Sequence, residues 1–253
     1  MIQKPNMQSS IYHQFLEAKR QKKLAVLIDP DQMKLRHMDH LLRLLSSVKV
    51  DFIMVGGSLI LDDRLDECLT LLKQHTELPL ILFPGSSHQV SAKADAILFL
   101  SLISGRNPEY LIGQQVVAAP YIKAAGLEVI STGYMLVEGG QATTASYMSN
   151  SQPIPRNKKE VAACTAMAGE MLGLKTLYLD AGSGANRAVP FEMTATVASQ
   201  IEVPLIVGGG IRSPEKALGH LRAGADIIMV GTGIEQNPDL LGELSDAIYH
   251  FTP

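Results

Sequence analysis

The stretch that most constrains the fold is Leu205–Thr232, where two short apolar runs each end in a glycine-containing turn. The first run, Leu205–Val207, predicts a buried strand and is followed by Gly208–Gly210. Ser213 and Pro214 then match the N-cap and the first position of a helix. The sequence therefore predicts a strand, a glycine turn and a helix in close succession.

A second apolar strand, Asp226–Val230, follows this helix and ends in Gly231 and Thr232. Two glycine-rich turns at the ends of neighbouring parallel strands allow backbone N–H groups to converge on an anion. In a barrel of eight βα units, the loops after strands seven and eight commonly bind phosphate. The unit thus indicates a phosphate site, with the alternative that its glycines only make tight turns.

Six further apolar runs precede this unit, so eight predicted strands alternate with predicted helices over 253 residues. Continuously apolar runs are typical of a parallel sheet covered on both faces, and a (β/α)8 TIM-like barrel typically needs about 250 residues. Only Ser86–Ala94 separates the third predicted strand, Leu80–Phe83, from the fourth, Ala96–Leu100. Because a crossover normally needs about a dozen residues or more, we expect one barrel helix to be reduced or missing between strands three and four.

Three other segments complete the predicted architecture. Ser9–Lys23 is predicted to be a helix that could cap the closed end of the barrel. Asn107–Ala119 is predicted to be a helix with Asn107 as its cap, and Glu138–Pro155 a long loop over the barrel mouth. Since no linker or low-complexity segment interrupts the chain, we expect a single domain over residues 1–253.

Composition argues against several classes of protein. The 22 basic and 25 acidic residues give a net charge of −3, which disfavours a nucleic-acid-binding protein that relies on general charge. Cys68 and Cys164 lie far apart without metal-ligand spacing, so we expect two reduced cysteines packed in helices. The polar N-terminus predicts no signal peptide, and no apolar run approaches about 18 residues. We therefore expect a cytoplasmic protein without a stable membrane anchor.

Polar side chains follow the first two predicted strands, where Asp29 and Ser58 stand. Because the carboxyl ends of barrel strands meet at one mouth, we expect this carboxylate and hydroxyl to lie close together. Oxygen ligands of this kind suit Mg²⁺, which usually takes one or two protein groups plus substrate phosphate oxygens. Alternatively, Asp29 is a turn or N-cap residue before Pro30, and Ser58 has only a structural role.

Asp180 follows the sixth predicted strand, Thr176–Leu179, beside the turn Gly182–Gly184. A carboxylate at this position could accept a proton from an alcohol that is held by its own phosphate group. The alternative is an aspartate that binds the amides of its own turn. The seven histidines form no cluster, and no lysine follows the glycines as it does in a P-loop.

Seven motifs stand in order over nearly the whole chain. They are LIDPD at Leu27–Asp31, FIMVGGS at Phe52–Ser58, LFPGSS at Leu82–Ser87, STGYMLVEGG at Ser131–Gly140, YLDAGSGA at Tyr178–Ala185, IVGGGIRSPE at Ile206–Glu215 and AGADIIMVGT at Ala223–Thr232. Together they resemble the geranylgeranylglyceryl phosphate synthases and their bacterial heptaprenylglyceryl phosphate synthase relatives. Many phosphate-binding barrels share the glycine-rich half, but the combination with IDPD, VGGS and FPGSS is specific to this family.

The resemblance implies an enzyme that joins sn-glycerol 1-phosphate to a prenyl diphosphate, with geranylgeranyl diphosphate favoured, and releases pyrophosphate. Asp29 and Ser58 would bind Mg²⁺, which holds the diphosphate, and Asp180 would be the catalytic base. The residues that would hold glycerol phosphate are Tyr178, Leu179, Asp180, Ala181, Gly182, Ser183, Gly184, Gly209, Gly210, Gly231 and Thr232. The family usually has glutamate at the position of Asp180, so the shorter side chain would need the substrate about one methylene closer. Several relatives are dimers or hexamers, and we expect a homo-oligomer.

The apolar tail of such a donor needs a groove, and its diphosphate needs cations. The candidates for the groove are Tyr121, Tyr134, Met135 and Leu136, unless they belong to the core. The candidate cations are Arg106 and Arg212, which fall in predicted loops.

Two other functions use part of the same residues. A phosphosugar isomerase or synthase would need the two glycine turns but not Asp29 or Ser58. A non-catalytic barrel would bind a phosphate ligand and tolerate the loss of Asp180.

Overall fold

The computed structural model describes residues 10–32, 35–61 and 64–252. The strands are β1 Lys23–Ile28, β2 Phe52–Val55, β3 Leu80–Leu82, β4 Ala96–Leu102, β5 Glu128–Leu136, β6 Thr176–Asp180, β7 Leu205–Gly208 and β8 Ile227–Val230. All neighbouring pairs are parallel and follow chain order, and the barrel closes because β1 pairs with both β2 and β8. The predicted TIM-like barrel is confirmed.

The helices of the described residues cover the outside and the two ends of this barrel. They are α1 Ile11–Glu17, α2 Leu35–Ser47, α3 Leu65–His75, α4 Gln114–Ala125, α5 Thr144–Met148, α6 Lys159–Met171, α7 Phe191–Ala198, α8 Pro214–Arg222, α9 Thr232–Gln236 and α10 Leu240–Tyr249. A short 3₁₀ turn, Pro30–Gln32, follows β1, and a π-helical turn, Glu109–Gly113, leads into α4. None of the helices within these ranges combines the length and apolarity needed to cross a membrane.

The segment between β3 and β4 contains no helix, as predicted from its length. Its conformation depends on Gln89, whose buried side chain reaches the turn after β2. The Nε2 of Gln89 donates to the carbonyl of Gly57 at 2.9 Å, and its Oε1 accepts from the N–H of Gly85 at 3.2 Å. One side chain thus ties the turn after β2 to the turn after β3.

Side chains alternate across the strands and build two cores, one inside the barrel and one between barrel and helices. In β2, Phe52 and Met54 face the inner core, while Ile53 and Val55 belong to the outer core. The inner core is closed at its N-terminal end by α1, whose Phe15 is fully buried and lies 4.9 Å from Phe52 between ring centroids. The predicted capping helix is confirmed, although it is shorter than predicted.

A carboxylate holds α1 in this position. Glu128, the first residue of β5, accepts the backbone N–H groups of Ile11 and Tyr12, each at 2.8 Å. These amides lie in the first turn of α1, where helical N–H groups lack intrahelical partners and where the helix dipole favours negative charge. The contact joins the closing helix directly to the barrel.

The helix after β4 differs from the prediction, which ended it at Ala119. It continues through Pro120 to Ala125 and stops at Gly126, whose φ is +71°. Burial of Ala118 and Ile122 on either side of the proline stabilises the continuation, which outweighs the hydrogen bond that a proline cannot donate. The predicted loop Glu138–Pro155 likewise contains a short helix, α5.

Candidate active site

One cavity opens at the carboxyl ends of the barrel strands, as expected for this fold. It collects residues at or just after the ends of five different strands. These are Asp29 after β1, Ser58 after β2, Asp180 at the end of β6, Gly209 after β7 and Gly231 after β8. The residues singled out from their positions after predicted strands therefore line one cavity.

Asp180 is the charged group at the centre of this cavity, with only 5% of its surface exposed. The hydroxyl of Tyr134 donates to its Oδ2 at 2.7 Å, and the backbone N–H of Gly182 donates to its Oδ1 at 2.7 Å. The hydroxyl of Tyr178 also interacts with this carboxylate and lies 3.5 Å from the Sδ of Met229. Burial raises the pKa of Asp180 and the hydrogen bonds oppose that rise, so its carboxylate is a stronger base than a solvated aspartate.

The two tyrosines belong to an aromatic cluster at the top of the inner core. Ring centroids lie 5.4 Å apart for Tyr134 and Tyr178, 5.8 Å for Phe83 and Tyr134, and 5.6 Å for Phe83 and Tyr178. Tilted and edge-on contacts at these distances stabilise aromatic pairs. The cluster places both hydroxyls under Asp180 and separates the cavity from the apolar barrel interior.

The turn after β7 must contain glycine because of how closely it approaches Asp180. Gly209 has φ +77°, and a Cβ at this position would lie 2.6 Å from Oδ1 of Asp180 and 2.7 Å from the backbone N of Gly182. The turn after β6 is equally restricted, since Gly182 and Gly184 have φ of +92° and +72°. The missing side chains leave backbone exposed to the cavity, as a bound phosphate requires.

The turns after β6 and β8 contact each other through Thr232. Its Oγ1 accepts the N–H of Gly184 at 3.3 Å and lies 3.3 Å from the Oγ of Ser183. Both contacts are long for hydrogen bonds, so these groups can turn toward a ligand at little cost. Arg212, in the loop after Gly210, lines the same region and supplies a cation.

Asp29 and Ser58 line the cavity after β1 and β2, next to the turn that follows β8. The Oδ1 of Asp29 accepts the N–H of Asp31 at 3.0 Å, and a Cβ on Gly57 would come within 2.9 Å of its Oδ2. Asp29 is therefore both a turn residue, as the alternative interpretation had it, and a cavity residue. Burial raises the pKa of Asp29, because no cation on the described residues compensates its charge.

The donor set on this side fits Mg²⁺ better than a metal with an all-protein shell. The described residues contain no group of three or more His, Cys, Asp or Glu that could hold a metal ion. They do offer the Asp29 carboxylate and the Ser58 hydroxyl, which line the cavity after the neighbouring strands β1 and β2. Mg²⁺ commonly uses one or two protein oxygens and takes the remainder from water and phosphate.

The rest of the cavity is an apolar groove that runs between segment 83–95 and α4. Side chains of both walls line it: Phe83 and Val90 on one wall, Phe99 and Leu100 on β4, and Tyr110, Ala118 and Ile122 on the other. The groove exists because no helix fills the position after β3. A carboxylate and glycine turns at one end and an apolar channel at the other suit a ligand with a charged head and a hydrocarbon tail.

Several residues proposed from the sequence lie elsewhere. Leu179 and Ala181 do not line the cavity, since their side chains are buried in the outer core. Of the groove candidates only Tyr134 lines it: Met135 and Leu136 are core residues, and Tyr121 is exposed on the outside of α4. Arg106 lies on the outer surface, where its Nη1 donates to the carbonyl of Gly105 at 2.8 Å.

Four cavity residues were not among those proposed from the sequence. Phe83, Gly85 and Tyr110 line the cavity, and so does Glu235, whose pKa is raised by burial and by the negative charge of Asp29. The LFPGSS motif was a usable signal for Phe83 and Gly85. No pattern in the sequence marked Tyr110 or Glu235, which reach the cavity only through the packing of the π-helical turn and α9.

Comparison with known proteins agrees with this geometry. The chain matches the PcrB family over residues 16–249. It is 51% identical over 249 residues to a geranylgeranylglyceryl phosphate synthase of Chitinophaga pinensis, covering 98% of this chain and 99% of that protein. The synthase of Pyrococcus furiosus is 46% identical over 224 residues and 88% of each chain.

A solved structure shows the same likeness in three dimensions. The crystal structure of (S)-3-O-geranylgeranylglyceryl phosphate synthase from Thermoplasma acidophilum, in complex with its substrate sn-glycerol-1-phosphate, superposes with a TM-score of 0.90 and 34% identity. The match covers 96% of this chain and 99% of that one. Sequence and fold together place the chain in the PcrB family of prenyltransferases.

Proposed function

We propose that this enzyme transfers a prenyl group, preferably geranylgeranyl, from its diphosphate to a hydroxyl oxygen of sn-glycerol 1-phosphate. The allylic carbon–oxygen bond to the diphosphate breaks, an ether carbon–oxygen bond forms, and the hydroxyl proton passes to Asp180. The observation that carries the proposal is one cavity with three parts: a buried carboxylate, glycine turns and an apolar groove.

Glycerol phosphate binds at the glycine turns in this proposal. The backbones of Gly182, Gly184, Gly209 and Gly210 face the cavity without side chains, and Arg212 adds a positive charge. A phosphate held there places a glycerol hydroxyl beside Asp180, whose Oδ1 and Oδ2 are fixed by Gly182 and Tyr134. Fixing the base in this way reduces the reorganisation needed when the proton moves.

The diphosphate binds on the side of Asp29 and Ser58, with its prenyl chain in the apolar groove. These two residues would hold Mg²⁺, which offsets the negative charge that develops on the leaving pyrophosphate. The groove walls on segment 83–95 and α4 exclude water from the allylic carbon. Exclusion of water favours ether formation over hydrolysis.

Two other functions are less compatible with the cavity. A phosphosugar isomerase or synthase uses the glycine turns, yet it has no use for an apolar groove that ends beside Asp29. A non-catalytic phosphate-binding barrel gives no reason to bury the charge of Asp180 under two tyrosine hydroxyls, since burial of a carboxylate costs free energy.

Substitution of the two carboxylates tests the assignment. Asp29→Asn is expected to abolish prenyl transfer in the presence of Mg²⁺, and Asp180→Asn to lower it by about 10²–10⁴-fold, as is typical when a general base is lost. Both variants should still bind sn-glycerol 1-phosphate in calorimetry. Asp246→Asn, which changes an exposed carboxylate on α10 outside the cavity, is the matched control and should keep full activity. Normal turnover of either cavity variant would remove that residue from the mechanism.

Homo-oligomeric assembly is part of the same proposal. The cytoplasmic location and the single domain over residues 1–253 stay predictions from the sequence.

A further inference from the structure

Gln89 is a buried amide that the proposed chemistry does not use. Only 6% of its surface is exposed, and its side chain does not line the cavity. It lies in the segment between β3 and β4, which contains no helix. Because a buried amide has to satisfy both its donor and its acceptor, the groups that Gln89 binds show which part of the molecule it orders.

The side chain of Gln89 binds three backbone groups in the turns after β2 and β3. Its Oε1 accepts the N–H of Gly85 at 3.2 Å and the N–H of Gly57 at 3.4 Å, and its Nε2 donates to the carbonyl of Gly57 at 2.9 Å. Both backbone groups of Gly57 are therefore bonded to one side chain. These bonds fix the peptide that leads directly into Ser58.

The turn after β2 also has little room to move. A Cβ on Gly85 would lie 2.8 Å from the Cα of Ser58, and a Cβ on Gly57 would lie 2.9 Å from Oδ2 of Asp29. The turn is thus packed between the Asp29 carboxylate and the turn after β3, at distances that only glycine permits. Its hydrogen bonds to Gln89 therefore set where Ser58 stands relative to Asp29.

The segment that carries Gln89 is itself anchored to α3. The hydroxyl of the buried Ser91 donates to Oδ1 of Asp66. The Nζ of Lys93 lies 2.8 Å from Oγ1 of Thr70 and 3.3 Å from Oδ2 of Asp66. Gln89 is therefore presented by a backbone that is held two residues further on. A side chain supported in this way can keep a functional group in place.

We propose that Gln89 is a positioning residue for the diphosphate side of the active site. By holding the peptide between Gly57 and Ser58, it keeps the Ser58 hydroxyl within reach of the same Mg²⁺ and diphosphate oxygens as the Asp29 carboxylate. Groups that orient metal ligands commonly affect metal affinity strongly, although they do not touch the metal. The inference rests on the proposed function, because it requires that Mg²⁺ and the diphosphate bind at Asp29 and Ser58.

Different contacts hold the side that binds glycerol phosphate in the proposed function. The N–H of Gly182 donates to Oδ1 of Asp180 at 2.7 Å, and the Nε2 of Gln141 donates to the carbonyl of Gly184 at 2.9 Å. Loss of the Gln89 amide should therefore weaken binding of the diphosphate and leave binding of sn-glycerol 1-phosphate unchanged. A general loss of packing would instead weaken binding of both ligands.

Calorimetric titration of Gln89→Met tests the proposal, because methionine has a similar shape and cannot make these hydrogen bonds. Binding of inorganic pyrophosphate in the presence of Mg²⁺ should weaken by about 10–100-fold, the range found when groups that orient metal ligands are removed. Binding of sn-glycerol 1-phosphate should stay as in the wild type. The matched control is Thr176→Val, which removes a buried hydrogen bond to the carbonyl of Pro204 at the other end of the barrel and should change neither affinity.

Kinetics of a milder variant provide a second readout. Gln89→Asn keeps an amide but is one methylene shorter, so it cannot bridge both turns. Its KM for the prenyl diphosphate should rise, and its KM for sn-glycerol 1-phosphate should not. Circular dichroism and melting curves confirm that each variant is folded.

The possible failures are distinguishable. Folded Gln89 variants that bind pyrophosphate as the wild type does, or that lose affinity for both ligands equally, would overturn the inference and leave the proposed function intact. A wild-type protein that binds no pyrophosphate in the presence of Mg²⁺ would overturn the Mg²⁺ and diphosphate assignment of the proposed function, and the inference with it.

Discussion

The hydroxyl of Tyr134 should control the pH at which Asp180 becomes a base. It donates to Oδ2 of Asp180 at 2.7 Å in a buried site. A hydrogen bond of this kind stabilises the ionised carboxylate and not the neutral acid, so it lowers the pKa of Asp180 against the rise caused by burial. Tyr134→Phe removes the donor and keeps the ring in the aromatic cluster.

The size of the effect follows from the strength of the bond. A hydrogen bond to a charged group contributes about 1.5–3 kcal/mol, and each pKa unit corresponds to about 1.4 kcal/mol. Loss of the Tyr134 hydroxyl should therefore raise the pKa of Asp180 by about 1–2 units. Because the base acts when deprotonated, the acid limb of kcat/KM for prenyl transfer moves to higher pH by the same amount, while the rate at the high-pH plateau changes far less.

The assay is the pH dependence of kcat/KM for wild type, Tyr134→Phe and a matched control. Tyr110→Phe is that control, because its hydroxyl lies in the same cavity but donates to the carbonyl of Met148 at 3.2 Å. Its acid limb should coincide with that of the wild type. An unshifted limb in Tyr134→Phe, or an equal shift in Tyr110→Phe, would refute the assignment of Asp180 as the titrating base.

Three further predictions concern the turn after β7, acid stability and the closing helix. Gly209→Ala should abolish prenyl transfer in a folded protein, because the new Cβ would lie 2.6 Å from Oδ1 of Asp180. The control is Gly173→Ala: Gly173 has φ +87°, but a Cβ there would have no neighbouring atom within 4 Å, so this variant shares only the backbone strain. His220 is fully buried and its pKa is lowered to about 4, chiefly by burial. The stability that depends on the neutral form of His220 is complete above about pH 6.5 and is lost as the pH falls toward 4, which amounts to about 3 kcal/mol. In urea unfolding, the free energy of unfolding of His220→Leu should therefore fall less between pH 6.5 and 4 than that of the wild type. Glu128→Gln should lower the free energy of unfolding by about 1–2 kcal/mol, because two bonds to the N-terminus of α1 lose their charge, and an unchanged urea midpoint would contradict that role.

Much of the fold was predictable because a parallel barrel leaves a simple pattern. Each strand is buried on both sides, so its sequence is a short apolar run. The absence of a helix after β3 follows from the short length of the segment between β3 and β4. The end of α4 was not predictable from local rules, because Pro120 normally stops a helix. Burial of Ala118 and Ile122 against the barrel decides the outcome there, and that packing comes from distant parts of the chain.

The candidate site was predictable where residues directly follow strands. Asp29, Ser58 and Asp180 share one cavity because all strands end at the same mouth. The support of Asp180 by Tyr134 was not visible, since the two residues lie 46 positions apart and meet only through pairing of β5 with β6. Of the four groove candidates Tyr134 lines the cavity, whereas Met135 and Leu136 are core residues, as the alternative had it. Tyr121 could not be placed from the sequence, because its position depends on which face of α4 turns inward.

The most direct test of the central claim is transfer of label from sn-glycerol 1-phosphate to an organic-soluble product. The assay supplies Mg²⁺ and a series of prenyl diphosphates of increasing length, with sn-glycerol 3-phosphate as the stereochemical control. We expect transfer from the 1-phosphate, best with geranylgeranyl diphosphate, and little from the 3-phosphate. Folded protein that binds sn-glycerol 1-phosphate but transfers no prenyl group from any donor would contradict it and favour a phosphosugar enzyme or a non-catalytic barrel.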